Sequence, residues 1–352
     1  MKMTSKSNIR YLELFAGIGG FRTAIERAAK TNNAKVECVG YSEIDKNALK
    51  TYKANFGVKE TELEIGDITS LDSDKKIKTL PDFDILLAGF PCQPFSLMGE
   101  KGGFADSRGT LFFQIAKILA VKKPNFFILE NVRGLKTHDG GKTFERIMQI
   151  LTKDLGYNVR PELLNSVDFG VPQIRRRLFF IGVKNGKTFK EIAGLDFSKR
   201  ARRSRFKTTW HLLERKVDDK YYLSKKIIKT ILEHGSGNYY SKSEINRIVA
   251  RPLTASMHKM HRANQDNYYS DNFIYGKFDG KNVIRENKYD GRIRKITPLE
   301  AFRFQGFDDS FVKKAQVAGV SDTQLYRQAG NAITVNVAEA ILRTFLKGEN
   351  FR

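Results

Sequence analysis

The sequence predicts a doubly wound, Rossmann-like α/β fold with a mostly parallel sheet and a second, smaller domain. Three observations carry this expectation. From Ile9 to about Val183, short apolar runs alternate with helix-length amphipathic stretches, the pattern of buried parallel strands joined by crossover helices. After Lys184 that rhythm breaks, and it returns only in Ala329 to Leu342. The chain has 352 residues, more than a single core usually organises.

Tyr11 to Phe15 is the first expected strand, running through Ala16 into Gly17, Ile18, Gly19 and Gly20 and then a helix from about Arg22 to Lys30. Glycines let the backbone turn tightly and approach a ligand at the carboxyl end of a first strand, where open α/β sheets bind cofactors. The G-x-G-G spacing departs from the G-x-G-x-x-G fingerprint and argues against a pyrophosphate. Val36 to Tyr41 is the second strand, with Glu43, Ile44 and Asp45 just beyond it. A carboxylate placed like Glu43 can accept two hydrogen bonds from a ribose diol. A third strand is expected to end near Asp67 and Ile68, where Asp67 could accept an adenine amine. These loops describe a nucleoside pocket without a phosphate cradle.

Ile85 to Ala88 is the next strand, and it leads into Gly89-Phe90-Pro91-Cys92-Gln93-Pro94-Phe95-Ser96. Buried structural cysteines sit inside apolar runs; a thiol fixed between two prolines reads as a nucleophile, which needs a cationic neighbour to hold its thiolate. Gly99, Gly102, Gly103 and Gly109 follow, a composition suited to a lid that closes over a substrate. Phe126 to Leu129 ends in Glu130, a carboxyl that must either pair with a cation or carry a proton if buried. Gln173-Ile174-Arg175-Arg176-Arg177 precedes the strand Leu178 to Val183, and strand alternation sends Arg175 and Arg177 to one face and Arg176 to the other. Gln328-Ala329-Gly330-Asn331-Ala332 precedes the closing helix and could add an amide to the pocket.

The net charge is +23, from 62 Lys and Arg against 39 Asp and Glu. An excess of that size implies a polyanionic partner such as nucleic acid. Six basic residues fall in nine positions from Lys199 to Lys207, Arg202, Arg203 and Arg205 among them. Such a run can be a solvated loop or a phosphate contact. The polar stretch from Arg251 to Ser270, with His258, suits hydrogen bonding to bases or backbone. Two cysteines, Cys38 and Cys92, build no disulfide framework and point to a reducing, cytoplasmic setting. No apolar stretch approaches the ~20 residues needed to span a bilayer. His258 and His261 find no third ligand nearby, so no metal is expected.

Read in order, the Phe-Ala-Gly-x-Gly-Gly turn, Gly-Phe-Pro-Cys-Gln-Pro-Phe-Ser, Glu-Asn-Val, Gln-x-Arg-x-Arg and Gln-x-Gly-Asn-Ala resemble the ordered signatures of the cytosine-5 DNA methyltransferases, over nearly the whole chain. The resemblance is to the compact bacterial or phage type, since no large regulatory domain precedes Ile9. It implies a catalytic methyltransferase domain in residues 1–188 and 327–352 and a target-recognition domain and hinge in 189–326. It implies that Cys92 attacks C6 of a cytosine flipped out of double-stranded DNA, that Glu130 contacts N3 and N4, that Arg177 holds O2 and that Arg175 lies beside the thiolate. S-adenosylmethionine would be the methyl donor and S-adenosylhomocysteine the product, with Phe15, Ala16, Gly17, Gly19, Gly20, Glu43, Ile44, Asp67, Ile68, Pro91, Leu111, Asn331 and Ala332 around it. Ile44 stands where many members carry an aromatic residue. DNA contacts would come from Gln93, Ser96, Arg108, Arg202, Arg203, Arg205, Arg251 and His258. A monomer acting in restriction–modification fits this picture.

Two other readings compete with it. One branch of the family methylates transfer RNA with the same catalytic set, but typically carries a Cys-Phe-Thr element, and this chain has no cysteine after Cys92. A non-catalytic DNA-binding relative would be marked by loss of the thiol or the glutamate, and both are present.

Overall fold

The computed structural model describes residues 8–91, 111–184, 186–201, 208–232, 244–259, 261–262, 264–276 and 291–346. In chain order these contain β1 (Ile9–Leu14), α1 (Gly20–Asn32), β2 (Val36–Tyr41), α2 (Lys46–Phe56), β3 (Leu63–Glu64), α3 (Asp74–Lys78), β4 (Ile85–Gly89) and α4 (Leu111–Lys122). Next come β5 (Phe126–Val132), α5 (Lys142–Gln149), β6 (Asn158–Asn165), β7 (Arg176–Val183), α6 (Gly186–Ala193) and α7 (Lys225–Leu232). The chain closes with β8 (Tyr268–Ser270), α8 (Asp271–Tyr275), β9 (Ile293–Lys295), α9 (Pro298–Arg303), α10 (Asp309–Val317), α11 (Asp322–Asn331) and α12 (Val335–Phe345).

The main sheet has the order β3-β2-β1-β4-β5-β7-β6, so the expected doubly wound architecture is present. Pairing is parallel from β3 through β5, whereas β7 runs antiparallel to both β5 and β6. The apolar run of β7 reads like its parallel neighbours because the strand is central and covered on both faces; burial of that kind carries no information on direction. Strand β6 left no apolar run to find. It is the polar edge of the sheet, with Pro161 in a position that only an edge strand tolerates.

Alternation along the strands divides the core in two. Tyr11, Ile85, Leu87, Ile128, Phe179 and Ile181 face α1, α12 and much of the later chain. Leu12, Leu14, Leu86, Ala88, Phe127, Leu129 and Phe180 face the layer that includes α4 and α5. The C-terminal helix lies along α1, and Phe345 meets Phe126 at 4.8 Å between ring centroids. The two ends of the chain therefore share one core. In the later part, β8 and β9 form a hairpin-like pair over a small cluster of Ile231, Ile245, Tyr268 and Ile293. Helix α9 begins with a capping box between Thr297 and Glu300, and the same Glu300 holds Arg294 in a bidentate buried pair.

The closing segment is two helices rather than one. Helix α11 stops at Asn331 and α12 starts at Val335. The carbonyls of Gly330 and Ala332 accept hydrogen bonds from Arg175 in place of a continuing helical ladder.

A polar knot underlies β1. Glu13 is fully buried, accepting from the Tyr52 hydroxyl at 3.1 Å and the Arg22 amide at 3.3 Å, while Arg22 grips Glu62 through both Nη atoms at 2.6 and 3.0 Å. Burial pushes the Glu13 carboxyl from 4.5 up to about 8, only partly offset by Arg22. Because folding favours the protonated form, this contribution to stability is complete below the ordinary carboxylate value and declines as pH rises through about 8. Glu13→Gln should therefore flatten the fall in melting temperature between about pH 5 and 8.5. Parallel melting curves for parent and variant would refute the assignment.

Candidate functional site

The carboxyl ends of β1, β2, β4 and β5 converge with the start of β7 and the loop between α11 and α12. At the end of β1 the chain enters the left-handed region at Phe15 and Gly17, with φ of 52° and 55°. Such a turn is cheap for Gly17 and strained for Phe15. It is stitched to the end of β2, with Phe15 N donating to Ser42 Oγ and Ala16 N to the Ser42 carbonyl. Glu43 is then fixed by three backbone donors: Gly17 N on Oε2 at 2.8 Å, and Ile44 N and Asp45 N on Oε1 at 2.8 and 2.7 Å. A carboxylate has about four lone-pair sites, so Glu43 can still accept from a ligand. Asp45 caps α2 and reaches Arg327 at 3.3 Å. Gly19 sets the start of α1, and a methyl group there would fall 2.2 Å from the Phe56 ring.

Between these loops lies a cavity of about 400 Å³. One side is formed by Phe15, Ala16, Gly17, Gly20, Phe21, Glu43 and Asp45, and the other by Gly89, Phe90, Pro91, Glu130, Val132, Arg175 and Arg177. Residues 327, 328 and 330–333 close the third side.

Glu130, at the end of β5, is 8% exposed and pairs with Arg177 Nε at 3.1 Å. Burial raises its pKa despite the nearby Arg177 and Arg175. The antiparallel register makes the pair possible by setting Val132 opposite Arg177. Arg175 is 2% exposed, and its Nη atoms donate to the carbonyls of Leu253, Gly330 and Ala332, each at 2.9 Å. Its Nε is buried with no partner among the described residues. Burial and the like charge of Arg177 lower the Arg175 pKa to about 9, which leaves it cationic at neutral pH. Arg176 points outward, as alternation requires.

The remaining expected residues lie further out. Ile44 is 71% exposed and outside the cavity wall. Asp67 is exposed and caps the turn after β3 through Thr69, while Ile68 packs into the core. Leu111, the first residue of α4, rests half-buried on that core. Arg251 directs its guanidinium to the carbonyls of Glu244 and Asp266, and His258 has a buried Nδ1 with no partner among the described residues. Cys92, Gln93, Ser96, Arg108, Arg202, Arg203 and Arg205 lie outside the described residues, as does the glycine-rich lid.

Several amides that support the site were not singled out for that role by the sequence. Asn131 donates through Nδ2 to the Phe90 carbonyl at 3.0 Å, fixing the backbone two residues before Cys92. Gln173 accepts from Leu253 N and donates to the Phe304 carbonyl. Gln328 accepts from Thr51 and donates to the Asn47 carbonyl, tying the loop to α2. The available signal was adjacency, since Asn131 and Gln173 belong to motifs that carry a charged residue and Gln328 directly follows Arg327.

Residues 9–347 match the family model described as C-5 cytosine-specific DNA methylase. Among curated relatives, the chain is 40% identical to the type II methyltransferase M1.ScrFI of Lactococcus lactis subsp. cremoris, covering 96% of this chain and 78% of that one. It is 39% identical to the type II methyltransferase M.HpaII of Haemophilus parainfluenzae, covering 97% and 92%. The fold matches the Entamoeba histolytica methyltransferase EhMeth with a TM-score of 0.70 at 22% identity, over 96% of this chain and 98% of that one. It matches S. pombe Dnmt2 equally, with 0.70 at 20% identity over 98% and 100%. With the sheet, the Glu130–Arg177 pair and the glycine-lined cavity in one continuous match, the chain belongs to the C-5 cytosine-specific DNA methylase family and is a DNA (cytosine-5-)-methyltransferase.

Proposed function

We propose that this enzyme methylates C5 of a cytosine turned out of duplex DNA, with Cys92 as nucleophile and S-adenosylmethionine as methyl donor. The observation that carries the reading is the continuity of one cavity, whose walls include Glu43 and Phe15 on one side and Glu130, Arg175 and Arg177 on the other. The donor set fits the cofactor. Glu43 can accept from a ribose diol, the aromatic and glycine-lined wall admits a flat ring, and the spacing of the glycines suits a ligand without phosphates. When bound, S-adenosylmethionine supplies an electrophilic methyl group.

The chain's own residues do the rest. The raised Glu130 carboxyl carries a proton toward cytosine N3 and accepts from the N4 amine, draining electrons from the ring. Arg177, held by Glu130, donates to O2. The Cys92 thiolate forms a bond to C6, and the displaced electron pair makes C5 nucleophilic. After methylation, loss of the C5 proton drives elimination of the thiolate and frees the enzyme. Arg175 adds a fixed positive charge that favours a thiolate over a thiol.

The charge of +23 supports a duplex partner, and extrusion of the base costs a few kcal/mol that contacts from the glycine-rich lid and a recognition domain in 189–326 offset. Residues 250–255, which bond to Pro172, Gln173, Ile174 and Arg175 and pack against Gly330, would seat that domain on the catalytic one. A monomer working in the cytoplasm suits this assignment, and no helix among the described residues is long and apolar enough to cross a membrane.

The test is covalent trapping. The target site is first read by bisulfite sequencing of DNA from cells expressing the enzyme. A duplex with 5-fluorocytosine at that site should then give a denaturation-resistant adduct through Cys92, because fluorine blocks the elimination. Absence of an adduct during turnover would overturn the mechanism.

A further inference from the structure

The last turn of α11 and the irregular link 332–334 before α12 close the cavity, and residues 330–333 all line the site. What fixes this wall is a set of buried side chains, with Gln305, Thr334 and Ser166 among them from outside the signature motifs. Gln305, which follows α9, is fully buried. Its Nε2 donates to the carbonyl of Ala329 at 2.7 Å, in the last turn of α11. Its Oε1 accepts from the Thr334 hydroxyl at 3.1 Å, at the end of the link, and its own carbonyl accepts from Val335 N at 2.9 Å, the first residue of α12. Gln305 therefore spans the link from both ends.

Other bonds close the frame. Gln173 Nε2 lies 3.5 Å from Gln305 Oε1, and the Thr334 hydroxyl lies 2.7 Å from that of Ser166, whose Oγ is 3.3 Å from the Arg175 carbonyl. Arg175 meanwhile holds the interior carbonyls of Gly330 and Ala332. Gly330 leaves no slack against the second half of the chain: a methyl group there would fall 2.3 Å from the backbone of Thr254 and Ala255. Every member is buried, so an amide removed here leaves an acceptor unsatisfied and the loop free to shift.

We infer that Gln305, acting with Thr334, is a positioning residue for the cofactor side of the site: it sets Asn331, at the end of α11, and the link that follows in the wall S-adenosylmethionine would meet. This rests on the cofactor reading proposed above. Thr334 makes no side-chain cap to α12, so its hydroxyl can be removed without uncapping the helix.

The experiment uses the full-length enzyme with Gln305→Met and Thr334→Val, both close in size to the originals. Calorimetric titration with S-adenosylhomocysteine should show binding weakened about tenfold in Gln305→Met and about threefold in Thr334→Val, the worth of one or a fraction of one buried hydrogen bond. The KM for S-adenosylmethionine should rise in step, while the KM for duplex DNA stays within about twofold. Variants that melt cooperatively and bind S-adenosylhomocysteine like the parent would overturn the inference, as would an equal loss of cofactor and DNA affinity. If Gln305→Met does not fold, Thr334→Val alone decides between these outcomes. Failure of the parent enzyme itself to bind would overturn the cofactor reading and this inference with it.

Discussion

Replacing Cys92 with alanine should lower the rate of methyl transfer by at least about 10⁴-fold, while duplex DNA binding stays within about threefold of the parent. The asymmetry follows from what each process needs. The covalent route has no substitute for the sulfur, because neither water nor a neighbouring hydroxyl combines a thiolate's nucleophilicity with a low pKa. Binding instead depends on a charge excess spread over the whole surface, which one neutral truncation does not touch. Ahead of Cys92 in the chain, Pro91 lies in the cavity wall and Asn131 bonds to the Phe90 carbonyl. Tritium transfer from labelled S-adenosylmethionine, measured beside a gel-shift titration at fixed salt, separates the two quantities. Methyl transfer by the alanine variant at more than about a thousandth of the parent rate would end the case for Cys92 as nucleophile.

Glu130→Gln should cut kcat by about 10²- to 10⁴-fold, the range for losing a positioned acid. An amide can still accept from the cytosine amine, but it carries no transferable proton to N3. The parent's rate should fall on the alkaline side as pH rises through the raised Glu130 pKa, because the protonated form is then depleted; that limb should vanish in the variant. Stability should move the other way. Burial makes the ionised carboxylate unfavourable in the folded state, so this residue's contribution is complete below the ordinary carboxylate range and shrinks with rising pH. A neutral amide escapes that loss, and the variant should melt no lower than the parent at about pH 8. A slow enzyme that is also less stable at high pH would indicate a structural ion pair with Arg177 instead of an acid.

Much of this was legible in the residues because chemistry and punctuation coincide. Glu43 stands directly after an apolar run, and Glu130 ends another; a carboxyl in such a place needs a reason, and the cavity supplies it. Arg175 and Arg177 share a face by simple alternation. The polarity of β7 was not legible, since a strand covered on both sides looks the same in either direction. Strand β6 was invisible because an edge strand has no need of an apolar run. The loop at residues 332–334 was hidden inside a helical pattern, because what interrupts the helix is an arginine more than 150 positions away. The supporting amides Asn131, Gln173 and Gln305 escaped for a related reason: an amide's role depends on which carbonyl it meets, and sequence does not say.

The reversed strand β7 also determines where this chain can change. A parallel strand in this place would have delivered its far end to the cavity and left its two arginines about 20 Å away, across the height of the sheet. Running backwards, β7 brings its beginning to the cavity and ends beside Phe126, at the opposite rim. The chain beyond Val183 thus departs from the rim opposite the cavity. Length and composition can drift at that point of departure while Glu130 and Arg177 keep their registration, so the same sheet can carry different insertions without disturbing the pair.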